Sequence, residues 1–113
     1  MDSTSQKESH DMKRMMVQYK VKPEKAAENQ RFIERVFEEL RANAPKGIRY
    51  ITFKSADGVS FTHLVSLETE NGENPLDQSA AFQAFQAGLS ERFDVQPTFT
   101  TLEEVGSYRV FDS

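Results

Sequence analysis

Residues Met15–Val21 alternate cleanly: Met15, Val17, Tyr19 and Val21 fall on one side, and Met16, Gln18 and Lys20 on the other. A period of two over this length predicts a strand with one buried face, placed over Met12–Val21. The period then changes. Ile33, Val36, Phe37, Leu40 and Ala44 recur at helical spacing, so they predict an amphipathic helix. Pro23 and Glu24 suit its first turn, and Pro45 and Gly47 end it. Glu34, Arg35, Glu38, Glu39 and Arg41 decorate its outer side and read as a solvated face.

Two further alternating runs, Ile48–Ser55 and Val59–Glu68, flank Asp57-Gly58, a strong hairpin signal. A three-residue loop would pair Ser55 with Val59, Phe53 with Phe61, Ile51 with His63 and Thr52 with Thr62. That register puts Ile51, Phe53, Phe61, His63, Val65 and Leu67 on one face. Tyr50, Thr52, Thr62, Leu64 and Ser66 take the other. A two-residue loop would oppose Phe53 with Thr62 and mix the faces, so the first register is preferred for its sorting of polarity. After a loop at Asn71–Pro75, with Asn74 as a cap, Phe82, Phe85, Leu89 and Phe93 form the stripe of a second helix. Two extended runs close the chain, Thr98–Glu104 and Ser107–Phe111, with a bulge or bend expected at Gly106.

The order β-α-β-β-α-β predicts an α+β fold of the ferredoxin-like kind, an antiparallel sheet with two helices on one face. Two helices cover only one face. Whichever face that is, the other keeps Tyr50 and Leu64, or Phe61 and Val65, so an apolar surface awaits a partner. A second copy of the chain, sheet against sheet, is the expected cover, and the pair would close a barrel.

The chain has 113 residues, enough for one domain, expected over 12–113. Residues 1–11 are polar, read as a disordered tail and lack the apolar core of a signal peptide. Eighteen acidic against fourteen basic residues give a net charge of −4, so nucleic acid is not an expected partner. No run is long enough to predict a membrane span. There is no cysteine, which excludes disulfides and thiolate chemistry and suits a cytoplasmic protein.

Candidate chemistry centres on His63, the only histidine of the predicted domain. It could act as a general acid or base, or it could be a neutral core histidine bonded to its neighbours. The packing reading takes precedence because no second ligand or partner stands at a telling spacing. For the same reason no metal and no cofactor are expected. Tyr50 could donate a hydrogen bond to a ligand oxygen, or lie half-buried with its hydroxyl on water or backbone. His63 and Tyr50 are therefore the candidate binding residues, with His63 the candidate catalytic group. Tyr108 reads as packing on the last strand.

Four stretches, "MMVQYKVKPEKAAENQRFIERVF", "ADGVSFTHLVSLE", "AAFQAFQAGLSERF" and "LEEVGSYRVF", resemble the dimeric α+β barrel superfamily, and within it the antibiotic biosynthesis monooxygenase-like domains. The resemblance implies a homodimer with a cavity for a small apolar or aromatic compound, and either cofactor-free oxidation or a non-catalytic dimerisation or ligand-sensing role. Haem-degrading and polyketide-oxidising members rely on a tryptophan. This chain has none, so no catalytic residue is carried over.

Overall fold

A computed structural model of the chain describes residues 13–110. The expected tail over 1–11, Met12 and Phe111 lie outside the described residues. Strands β1 (Lys13–Val21), β2 (Ile48–Lys54), β3 (Ser60–Leu67) and β4 (Phe93–Leu102) form one antiparallel sheet in the order β2-β3-β1-β4. Helix α1 (Ala26–Asn43) connects β1 to β2, and the pair α2 (Ala80–Ala87) and α3 (Leu89–Arg92) connects β3 to β4. This is the expected ferredoxin-like α+β fold.

Local chemistry sets the boundaries. Pro23 opens a short 3-10 turn, Pro23–Lys25, that runs into α1. The helix stops where Ala44 turns left-handed at φ 45° and Pro45 follows. Asn74 caps a second 3-10 turn by accepting from the Leu76 amide at 2.9 Å. Ser79 then caps α2 by accepting from the Phe82 amide at 2.9 Å. Glu39, expected on a solvated face, instead reaches from α1 to the start of α2. It accepts from the Ala81 amide at 2.8 Å and from the Ser79 hydroxyl at 3.3 Å. A carboxylate there meets amides that have no partner inside the helix, so it ties the two helices together.

The helices cover the face carrying Val17, Tyr19 and Val21 of β1 and Phe61 and His63 of β3. Buried Tyr19, Val21, Ile33, Val36, Phe61, Leu76 and Phe85 form the core.

Three expectations are corrected. The β2–β3 register opposes Phe53 with Thr62, Thr52 with His63 and Ile51 with Leu64. Tyr50 and Thr52 therefore share the face of His63, while Ile51 and Phe53 take the other. The hairpin closes through Asp57, whose carboxylate accepts from the Val59 and Ser60 amides and the Ser60 hydroxyl, with Gly58 at φ +79°. That local turn lengthens the loop beyond three residues and moves the pairing by one. Polarity sorting misled because Tyr50 and Thr52 are polar but satisfied beneath the helices.

The second helix also ends earlier than its stripe suggests. It breaks at Gly88, where a Cβ would lie 2.9 Å from Nη1 of Arg92, and Phe93 begins β4. Finally, β4 spans Phe93–Leu102 and includes Pro97, and residues 107–110 form no strand. The irregularities in the β1–β4 ladder lie between Gln18 and Val21, opposite Pro97, and not at Gly106. Proline has no amide to donate, so an edge strand at a bulge is where the ladder tolerates it.

Candidate functional site

The middle of the helix-covered face is a chain of polar side chains in an apolar setting. Thr52 lies directly across from His63, and Tyr50 and Tyr19 approach it diagonally from β2 and β1. Both imidazole nitrogens are engaged. Nε2 is 2.9 Å from Tyr19 Oη, and Nδ1 is 2.7 Å from Tyr50 Oη and 3.1 Å from Thr52 Oγ1. His63 is 5% exposed and stacks between the two tyrosine rings, with centroids 5.3 and 5.8 Å away. Burial pushes its pKa down to about 4, so the ring is neutral at pH 7. Burial also pushes Tyr19 up to about 12 and raises Tyr50, so both phenols keep their protons.

The chain continues away from the sheet. Asn29 of α1 donates from Nδ2 to Tyr19 Oη at 3.0 Å. Arg92, at the end of α3, donates from Nε to Asn29 Oδ1 at 2.9 Å and from Nη2 to the Phe85 carbonyl at 2.7 Å. Arg92 as a residue is 1% exposed, and its guanidinium carbon lies 4.5 Å from the Phe32 ring centroid and 5.3 Å from that of Phe85. Aromatic faces and two oxygen acceptors thus stand where a carboxylate would otherwise be expected. Burial lowers its pKa, but a guanidinium stays charged at neutral pH.

Solvent reaches this cluster along the groove between α1 and the edge strand β2. Two depressions flank Phe37, whose ring centroid is 4.9 Å from that of Tyr50. One, of about 200 Å³, is lined by Phe37, Leu40, Pro45, Ile48 and Tyr50, with Arg41 at its border. The other, of about 270 Å³, is lined by Ile33, Phe37, Thr52 and Phe61, with Gln30, Glu34 and Lys54 completing its wall. His63 lines neither. A guest in the groove would meet Tyr50 and Thr52, with His63 behind them.

The two residues singled out in the sequence, His63 and Tyr50, are thus brought into contact. Tyr19, Asn29 and Arg92 were missed as members of the cluster. A signal for two of them existed. Asn29 lies four residues before Ile33, in phase with the buried stripe of α1, and Arg92 lies seven after Phe85, on the same helical face. Among the described residues no group of three or more His, Asp or Glu could hold a metal ion. No helix among them is long and apolar enough to cross a membrane.

A sheet of this order with helices on one face is the fold of solved structures described as putative antibiotic biosynthesis monooxygenases. One from Nitrosomonas europaea superposes with a TM-score of 0.68 at 14% identity, covering 84% of this chain and 91% of its own. Another, from Caulobacter crescentus, gives a TM-score of 0.66 at 22% identity, with 85% and 92% covered. A conserved protein from Methanosarcina mazei gives 0.65 at 24% identity, with 86% and 96% covered. At these identities the likeness establishes the fold. No protein-family model and no curated relative matches the chain.

Proposed function

We propose that this chain forms a homodimeric α+β barrel that binds a small apolar or aromatic compound in the α1–β2 groove. The observation that carries the binding reading is the apolar trough beside Phe37, floored by the hydroxyls of Tyr50 and Thr52. Ligand sites combine apolar walls with a few placed polar groups in this way, and each depression, of about 200 and 270 Å³, has room for part of a small ring compound. The fold's likeness to putative monooxygenases makes cofactor-free oxidation the reaction to test. For an anthrone, dioxygen would turn the ring CH₂ into C=O and release water. Tyr50 would donate to the carbonyl oxygen, and its O–H would stabilise the conjugated anthrolate formed when a proton of the CH₂ across the ring passes to solvent water. His63 acts from behind as a positioning residue.

The homodimer rests on the bare face and on the segment after β4. Ile51, Leu64 and Met16 form an apolar row across that face, with Phe53 beside it on β2. Residues 103–110 are exposed throughout, with Val105 at 99% and Tyr108 at 82%. Such surface is rare on a stable monomer. The domain is assigned to 12–113, and a cytoplasmic location is proposed from the cysteine-free composition.

A second reading, a non-catalytic dimerisation or ligand-sensing domain, is favoured by the saturation of both nitrogens of His63, which leaves no free base facing the groove. An NMR titration with anthrone, followed by oxygen-uptake measurements, separates the two. Shifts centred on Phe37, Ile48 and Tyr50 with oxygen consumption support the enzyme. The same shifts without oxygen consumption support the sensor. Shifts scattered over the surface contradict the groove in both readings.

A further inference from the structure

We infer that Arg92 sets the direction of every hydrogen bond in the buried chain, so that the groove meets an O–H donor and takes a neutral acceptor oxygen such as a ketone or quinone carbonyl. The ligand class rests on the groove being a binding site, as proposed above. The direction does not.

One member of the chain, Arg92, cannot accept a hydrogen bond. A guanidinium has only donors. Its Nε–H at 2.9 Å therefore requires the oxygen of the Asn29 amide on the Arg92 side, which puts the NH₂ toward Tyr19. Tyr19 Oη accepts from that NH₂, and the one acceptor that its own hydrogen meets among the described residues is His63 Nε2 at 2.9 Å; the reverse direction would leave a buried phenol donor unmet. A ring nitrogen that accepts carries no hydrogen, so the neutral imidazole holds its proton on Nδ1. That N–H points at two hydroxyl oxygens, Tyr50 at 2.7 Å and Thr52 at 3.1 Å, and both accept.

Each of those hydroxyls keeps one hydrogen. One can be passed to the other oxygen. The second has no acceptor among the described residues, and both residues border the groove. A buried cation with three side chains between it and the groove hydroxyls thereby decides the polarity of the pocket. A carbonyl oxygen satisfies the orphan donor. A hydrocarbon leaves it unmade, which is the expensive case for a group already withdrawn from water. Arg41 at the border of the first depression offers charge for an anion, so carboxylate binding is the competing outcome.

Two measurements test this. Long-range proton–nitrogen NMR on the unliganded protein reads the His63 tautomer directly. The expected result is a protonated Nδ1 and an unprotonated Nε2 at neutral pH, becoming mixed in Asn29→Leu. A protonated Nε2 in the parent would overturn the relay, whatever binds. Calorimetric titration then compares indanone, indane and indane carboxylate. Indanone should bind about tenfold tighter than indane, the worth of one hydrogen bond. That preference should vanish in the double variant Tyr50→Phe, Thr52→Val. Equal binding of indanone and indane, or tightest binding of the carboxylate, overturns the ligand class. If none of the three binds while Nδ1 is protonated, the groove and its ligand class fall together and the relay stands.

Discussion

On the helix-covered face of the sheet, polar groups bond to one another in a chain that leaves a single hydroxyl hydrogen for the groove. On the bare face they form a rim around an apolar row. The covered face runs from Arg92 through Asn29, Tyr19 and His63 to Tyr50 and Thr52, each link between 2.7 and 3.1 Å. At one end of the bare face, Arg14 donates to Ser66 and Glu104, and Ser66 and Arg49 donate to Glu68. At the other, Gln18 donates to Thr62 at 3.4 Å. Between them lie Ile51, Leu64 and Met16. The lesson is that polarity alone does not say which face of a sheet is inside. Closed polar chains belong to interiors, where each missing partner is costly, whereas an apolar centre with a charged rim has the anatomy of an interface.

If the covered face is a closed chain, cutting its charged end should hurt most. Arg92→Ala empties a packed volume and strands the Asn29 and Phe85 oxygens, so urea unfolding should show a loss of about 3–4 kcal/mol. A loss under about 1 kcal/mol would show that the chain is not closed through Arg92.

Protonating the middle of the chain comes next. The folded pKa of His63 is about 4 against 6.5 in an unfolded chain, so the unfolded state binds more protons between these values. Stability is therefore full above pH 6.5 and falls as the pH drops toward 4, by up to about 3 kcal/mol. Asp57, held down to about 2 by its hydrogen bonds to Ser60 and Val59, titrates below that window. A flat profile from pH 7 to pH 4 would contradict a neutral buried His63.

His63→Leu removes the titration and leaves the Tyr19, Tyr50 and Thr52 hydroxyls without it. It should cost about 2 kcal/mol at pH 7 and abolish the slope, which separates the imidazole from any other acid-sensitive group. The smallest expected effect is at the tie between helices. Glu39→Gln weakens the contacts to Ala81 and Ser79 and should cost about 1 kcal/mol.

These contrasts explain what the sequence could and could not reveal. Alternation located β1, β2 and β3, and the three-to-four spacing located α1, because in each the apolar residues mark one side. The β2–β3 register was lost on two polar residues, Tyr50 and Thr52, that are inside only because His63 is there to meet them. Phe93 fits both a helical stripe and a strand, and only the break at Gly88, where a Cβ would crowd Arg92 Nη1, decides between them. Of the site, His63 and Tyr50 were legible as residue types. Their contact was not, since it depends on the register. Tyr19 was legible as a buried strand residue but not as a link, and Asn29 and Arg92 lie in phase with the apolar stripes but as polar residue types gave no sign of their burial. A hydrogen-bond chain linking three strands and two helices leaves no periodic trace.

Whether a second copy completes the bare face is decided by sedimentation of the full chain at micromolar concentration beside Leu64→Lys. That substitution puts a charge in the middle of the apolar row and should leave the folded subunit intact. The parent should sediment as a dimer and the variant as a folded monomer. A parent chain that sediments as a monomer, or a variant that dimerises as the parent does, would contradict completion of this face by a second copy.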